Sequence, residues 1–311
     1  MKFSLSTSYF AGQYLAPAQM ADQTRQMGFD AVELGYFTRE VDLDAWENAL
    51  EQVGLTVSSI HAFCPLSLEM PQLGPEMFSL AAPDGYERQA AVQAMLRTLD
   101  TAQRFGARAI VTHGGRVDLR EPGKWFGSRP YRSQLSAALQ MLGQPDLELV
   151  ERERHYREVA APRWVDAISF SLDELLPRFE AANVALAFEN LPGLEAFPDP
   201  AECAFLRERF PSKALAAWYD IGHGERKART GDWPVAETLA LTAEFTVGVH
   251  IHDVQELEED HCAPGQGAVD FNALLPLLQQ PDLIRVFEPA PSVTPEALVD
   301  GLHLIRNLLQ V

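Results

Sequence analysis

Ala214-Leu215-Ala216-Ala217-Trp218-Tyr219-Asp220-Ile221-Gly222-His223 is an apolar run that ends on a carboxylate, turns at a glycine and returns with a histidine. Read as a strand, it delivers Asp220 to its C-terminal tip, and the turn at Gly222 brings His223 back over the same rim. A carboxylate and an imidazole side by side suit a divalent cation. A helix N-cap aspartate beside a surface histidine uses the same letters. The stretch alone does not choose between them; the rest of the chain does.

The same unit recurs. An amphipathic stretch stops at a glycine or asparagine, and a short apolar run follows. Gln19–Met27 stops at Gly28 before Phe29–Leu34, and Leu43–Val53 stops at Gly54 before Leu55–Ile60. Tyr86–Phe105 stops at Gly106 before Ala107–Thr112, and Leu172–Ala182 stops at Asn183 before Val184–Phe188. Glycine or asparagine just past a helix is the residue that tolerates the left-handed stop. Ser171 with Glu174 reads as a capping box, and Asp199-Pro200 and Thr294-Pro295 read as N-caps with proline at the first helical position. Further runs lie at Ala214–Tyr219, Phe245–His252 and Leu283–Phe287.

Counted from Lys2, these make eight strand candidates, each followed by helical pattern. They are rich in Val, Ile, Ala and Leu, as strands buried on both faces must be. Eight such units predict an α/β fold, a closed (β/α)8 TIM barrel formed by residues 1–311 as one domain. An open doubly wound sheet would carry a glycine-rich phosphate turn after its first strand. Tyr9-Phe10-Ala11-Gly12-Gln13 is no such turn. Two stretches exceed the minimal unit, near 65–84 and 114–165, the second with a charged segment, Glu148–Glu158, that reads as helix. Long loops after barrel strands lie at the catalytic face, so both read as walls or a lid. An oligomer contact is the other use of such loops, which leaves a homo-oligomer open.

Composition sets bounds. The chain has 311 residues, 47% hydrophobic, with a formal net charge of −19. That charge opposes binding to nucleic acid or to anionic membranes, and no apolar run reaches membrane-spanning length. Three cysteines, Cys64, Cys203 and Cys262, are an odd number without paired spacing. Reduced thiols and a cytoplasmic setting fit them. The first residues lack a continuous apolar signal core and read as a strand.

In a barrel, active groups project from the C-terminal ends of strands. Here those ends carry Glu33, His61, His113, Glu189, Asp220, His250 and Glu288. One such group has an ordinary explanation, a helix cap or a histidine satisfied by backbone. Seven on one rim, above strands nearly free of charge, do not. Glu189, Asp220, His250 and Glu288 come from four successive strands. Three carboxylates and an imidazole suit Mn²⁺ or Mg²⁺, with Zn²⁺ or Co²⁺ as the other candidates. His61, His113, His223 and His261 form a second group for additional metal or substrate oxygens, and His61 and His113 could equally support the first ligands from behind. His252, two residues past His250, and Glu33 are candidates for substrate contact. Arg116, Lys124 and Arg129 follow strand four and could grip an anion, although each alone reads as a solvated surface cation.

Phe188-Glu189-Asn190, Asp220-Ile221-Gly222-His223, Val249-His250-Ile251-His252-Asp253, Asp260-His261 with Pro264-Gly265-Gln266-Gly267, and Phe287-Glu288-Pro289 carry a family resemblance. The chain resembles the sugar-phosphate isomerase/epimerase superfamily with the xylose isomerase-like barrel. The resemblance spans nearly the whole chain and is specific for the superfamily, not for one activity. It implies that His250, three before Asp253, is the ligand, and that His252 stands where many relatives carry lysine. From the ketose 3-epimerases it implies catalytic glutamates at Glu189 and Glu288 and substrate contacts at Glu195 and His223. Those epimerases have an arginine where this chain has Glu256. Related apurinic-site endonucleases use extra histidines for three zinc ions, and His61, His113 and His261 fall at comparable places. The expected function is a metal-dependent isomerase or epimerase of a sugar, sugar phosphate or polyol, working by proton transfer through a metal-stabilised enediolate. The alternatives are a zinc-dependent hydrolase of the endonuclease type and a dehydratase of inososes.

Overall fold

The computed structural model of the protein describes residues 1–66, 74–119, 141, 143–255 and 261–311. Among the described residues, ten strands lie in chain order: β1 (Ser4–Ser6), β2 (Ala31–Leu34), β3 (Thr56–His61), β4 (Ala109–Thr112), β5 (Gly115–Arg116), β6 (Ala185–Glu189), β7 (Ala196–Phe197), β8 (Leu215–Asp220), β9 (Thr246–Ile251) and β10 (Ile284–Phe287). Eight of them close into a barrel in the order β1-β10-β9-β8-β6-β4-β3-β2. Every barrel pairing is parallel. Parallel neighbours need a crossover, and helices outside the barrel provide it. The expected eight strands are therefore the eight observed.

The bore is packed solid. Ala109, Val111, Ala187, Ala216, Trp218, Ile284 and Val286 fill it as one apolar cluster. Small residues on β4 and β6 leave the room that the Trp218 indole takes. Gly248, the register partner of Trp218, faces it, and a methyl group there would collide with the indole. A second, larger core lies between the strands and the surrounding helices, with Phe3, Phe29, Ile60, Leu172, Phe179 and Leu302 among its fully buried members. This double layer holds the strand ends still, which a site built on a rim requires.

The helix stops are those expected. Gly54, Gly106 and Asn183 all adopt the left-handed conformation at the ends of their helices. Asp199 caps its helix with a reciprocal Glu202 bond, and Thr294 accepts from Ala297 N–H. The charged segment is helix from Leu147 to Ala160. The Ser171 cap is corrected. The helix runs from Pro162 to Ala182, and Ser171 lies inside it with its hydroxyl donating to the Leu80 carbonyl at 2.7 Å. Its buried stripe of Trp164, Ile168, Leu172, Leu175 and Phe179 is unbroken, and that burial overrides the local capping pattern. Lys124, Arg129, Glu256 and Asp260 lie outside the described residues. No described helix is long and apolar enough to cross a membrane.

Candidate metal centre

Glu189 and Asp220 are the last residues of β6 and β8, His250 lies one residue before the end of β9, and Glu288 follows β10. The barrel brings these four together. His250 Nδ1 lies 3.3 Å from Glu189 Oε1, 3.5 Å from Asp220 Oδ2 and 3.2 Å from Glu288 Oε2. One ligand atom from each of the four falls within 4.8 Å of all the others.

Each member is held from behind. His250 Nε2 faces Glu33 Oε1 at 3.2 Å, and the other oxygen of Glu33 accepts from Ser59 Oγ at 2.7 Å. Glu33 and His250 are both fully buried. With Nε2–H donating to Glu33, the Nδ1 lone pair points into the carboxylates, the tautomer a metal ligand needs. Glu33 is thus placed beneath His250. Asp220 is pinned by a two-way exchange with Asn190: Asn190 Nδ2 donates to Asp220 O at 2.9 Å, and Asp220 N–H donates to Asn190 Oδ1 at 2.8 Å. Asp220 also caps the helix Ile221–Arg229, its Oδ1 accepting from His223 N–H at 2.7 Å. The N-cap use and the cluster use of Asp220 are both real.

Glu189 is the hub. Its Oε2 meets His61 Nε2 and His113 Nε2, each at 3.2 Å, and its Oε1 meets His223 Nδ1 at 3.2 Å as well as His250. Two further groups with metal-ligand spacing result: His61, His113 and Glu189, and His223, His252 and His261. His252 is fully buried. Its Nε2 meets Asp220 Oδ1 at 2.9 Å, and its Nδ1 accepts from His261 N–H at 2.9 Å. Its ring stacks on His261 at 4.0 Å and lies against Gly222, where any Cβ would collide with it. That close approach is why a glycine stands in the turn after Asp220.

The electrostatics follow from burial. Burial opposes every charge here, yet the His250 imidazolium holds Glu189 well below the ordinary carboxylate range, and hydrogen bonds from His113 and His223 add to it. Asp220 is likewise held well below, against burial, by His223 and His252. His250 is driven well above its ordinary value by Glu288, Glu33 and Glu189, again against burial. Glu288 moves the other way, raised by burial and by the nearby Glu189 and Glu33 carboxylates. Four buried carboxylates, Glu33, Glu189, Asp220 and Glu288, meet five histidines here, His61, His113, His223, His250 and His252. Three carboxylates and an imidazole converging on one point are a donor set that fits a divalent ion.

On the rim, Glu195 lies in an ion pair. Arg116 Nη1 reaches Glu195 Oε1 at 2.6 Å, and Arg116 Nε donates to Glu76 Oε1 at 2.8 Å. The antiparallel pair β5–β7 fixes this link, with Val117 N–H donating to Glu195 O at 2.6 Å. Glu195 Oε2 is buried without a partner. Glu76 also stands 3.5 Å from His113 Nδ1, an ion contact longer than a hydrogen bond. Sequence reasoning missed Glu76, the structural work of Asn190, and Tyr36, whose ring stands edge-on to His61 at 5.7 Å. Tyr36 lies two residues beyond β2, so the strand-end rule would have reached it with a slightly wider window.

Residues 21–308 match the family described as the xylose isomerase-like TIM barrel. The chain belongs to that family. A relative, the uncharacterized protein y4fM of Sinorhizobium fredii, is 24% identical over 268 residues, 81% of this chain and 74% of the relative. Among solved structures, the 3-keto-D-glucoside 4-epimerase YcjR of E. coli superposes with a TM-score of 0.67 at 16% identity, covering 99% of both chains. A D-psicose 3-epimerase, solved in the presence of D-fructose, gives a TM-score of 0.66 at 13% identity over 100% of both chains. These likenesses establish a shared fold. The family's barrel is the scaffold on which the cluster at Glu189 sits.

Proposed function

We propose that the protein is a metal-dependent isomerase or epimerase of a sugar or related hydroxyketone. One observation carries this reading. Glu189 and Glu288 come from the rim ends of β6 and β10, with β8 and β9 between them, yet their oxygens lie 3.3 and 3.2 Å from the same nitrogen, His250 Nδ1. Two carboxylates converging on one point from different parts of a rim can exchange protons with a carbon held between them. Glu189, Asp220, His250 and Glu288 would hold the ion. A divalent cation there supplies positive charge for the substrate's carbonyl and adjacent hydroxyl oxygens.

One of the two glutamates takes the proton from the carbon beside the carbonyl. The other returns one to the opposite face or to the neighbouring carbon. His223 and the buried, unpartnered oxygen of Glu195 are the proposed acceptors for sugar hydroxyls. Epimerases with this fold act on a keto-glucoside and on psicose, by their own descriptions, which supports a sugar here. Solvent deuterium should enter a ketose when Mn²⁺ is supplied, and Glu189→Gln should abolish the exchange. No exchange and no turnover across ketoses and keto-glycosides would refute the reading.

A second reading is favoured by the two additional ligand groups around Glu189 and His223. Several zinc ions there would suit a hydrolase. Metal content separates the two: one Mn²⁺ or Mg²⁺ per chain supports proton transfer, and two or three zinc ions support hydrolysis. The net charge of −19 argues against DNA as that hydrolase's substrate.

A further inference from the structure

Tyr36 stands just past β2, and its turn is anchored on two sides. Gly35 N–H donates to Thr7 Oγ1 at 2.8 Å, Thr38 N–H closes onto Gly35 O at 3.0 Å, and Leu66 N–H donates to Thr38 O at 2.9 Å. The turn is therefore tied both to the segment after β1 and to the loop after β3. Phe37 packs against the Tyr36 ring at 5.6 Å. The ring stands edge-on to His61 at 72°, and His61 lies parallel to His250 at 5.7 Å. Tyr36 is thus one ring removed from the His250 imidazole, on a turn tied by hydrogen bonds on both sides.

The side chain is only half-buried. Among the described residues its hydroxyl has no hydrogen-bond partner. A tyrosine joins an apolar ring to a hydroxyl that can both donate and accept. Here the ring is set against Phe37 and His61, and, behind the larger effect of burial, the Glu288 and Glu189 carboxylates are near enough to push the phenol's pKa up. A sugar offers oxygen acceptors along its whole length, so an open phenol on this rim has an obvious counterpart.

We propose that Tyr36 is a substrate-binding residue whose hydroxyl donates a hydrogen bond to a sugar oxygen beyond the reacting carbons. The inference rests on the reading of the site as a sugar isomerase or epimerase. It assigns Tyr36 no part in holding metal. Tyr36→Phe keeps the ring on His61 and removes only the oxygen, so the fold and the metal centre should survive.

The experiment uses the full chain with Mn²⁺. Mn²⁺ affinity is measured by calorimetry without sugar, and then the binding and turnover of D-psicose, D-tagatose and a 3-keto-glucoside are compared between wild type and Tyr36→Phe. The proposal expects unchanged Mn²⁺ affinity, Kd and KM for the sugar raised about threefold to tenfold, and kcat nearly constant, the pattern of a lost uniform contact. Equal Kd and KM in the two proteins overturns it while leaving the functional reading intact. Weakened Mn²⁺ binding also overturns it, because Tyr36 would then act through His61. If the wild type neither binds nor turns over any of these sugars, the functional reading itself fails and this inference falls with it.

Discussion

Glu33→Gln separates two roles that a rim glutamate can have. Glu33 Oε1 lies 3.2 Å from His250 Nε2, and neither residue is exposed. If Glu33 fixes the ligand tautomer, losing its charge weakens metal binding by about 10- to 100-fold, the usual effect of an outer carboxylate on a ligating histidine. That is about 1.4 to 2.7 kcal/mol. Glutamine keeps the shape and an acceptor oxygen, so the fold is not at stake. The metal-free protein adds a second signature. There Glu33 is one of the charges holding His250 above its ordinary value, so the variant's imidazole gives up its proton more readily. Mn²⁺ affinity in the variant should therefore be lower than wild type at alkaline pH, and its slope with pH should be shallower. Calorimetry across pH reads both. Unchanged Mn²⁺ affinity with a raised KM for sugar would refute this placement and restore Glu33 to substrate contact.

Mn²⁺ binding at neutral pH should release a proton, because His250 is raised well above its ordinary value in the metal-free protein and must lose its proton to bind; calorimetry in buffers of different ionisation heat should show it, and affinity should rise with pH. Burial disfavours charge on His113, but the contacts of its two ring nitrogens with the Glu189 and Glu76 carboxylates outweigh it and push the group up to about 9. Its contribution to the stability of the metal-free protein is thus fully present below about 6.5 and lost as pH rises through about 9. Glu76 is held down to about 2, against burial, by His113 and Arg116, so its contribution is present above about 4.5 and lost as pH falls toward 2. The Tm difference between metal-free wild type and His113→Gln should shrink from pH 6 to pH 10; a growing difference would reverse the sign. Gly222→Ala should push the His252 ring off Asp220, cost about 1 to 3 kcal/mol of stability by overpacking and weaken Mn²⁺ binding; an alanine variant with wild-type Tm and affinity would show that the ring is not confined there.

The barrel was legible because its signals are local. A strand buried on both faces reads as a short apolar run, and a left-handed helix stop demands glycine or asparagine, as at Gly54, Gly106 and Asn183. The rim was legible for the same reason, since Asp220 and Glu189 end runs nearly free of charge. Depth was not. Glu33 and Glu288 look alike in sequence, yet one meets His250 Nε2 and the other His250 Nδ1, on opposite sides of the ring. The register shift between Val32 and Glu33 that helps set this depth leaves no mark in the letters. Contacts joining separate loops were equally hidden. Glu76, Arg116 and Glu195 meet from three separate segments, and nothing in any one segment announces the other two. Ser171 misled because a capping pattern is local while the stripe from Trp164 to Phe179 is decided by what it packs against.

The central claim is that four residues distant in sequence share one divalent ion. Anomalous scattering from a crystal soaked in Mn²⁺ tests it most directly. The account predicts a peak about 2.0 to 2.3 Å from carboxylate oxygens of Glu189, Asp220 and Glu288 and from His250 Nδ1. A map with no peak among these four, or with Mn²⁺ held elsewhere while they stay unengaged, would contradict it.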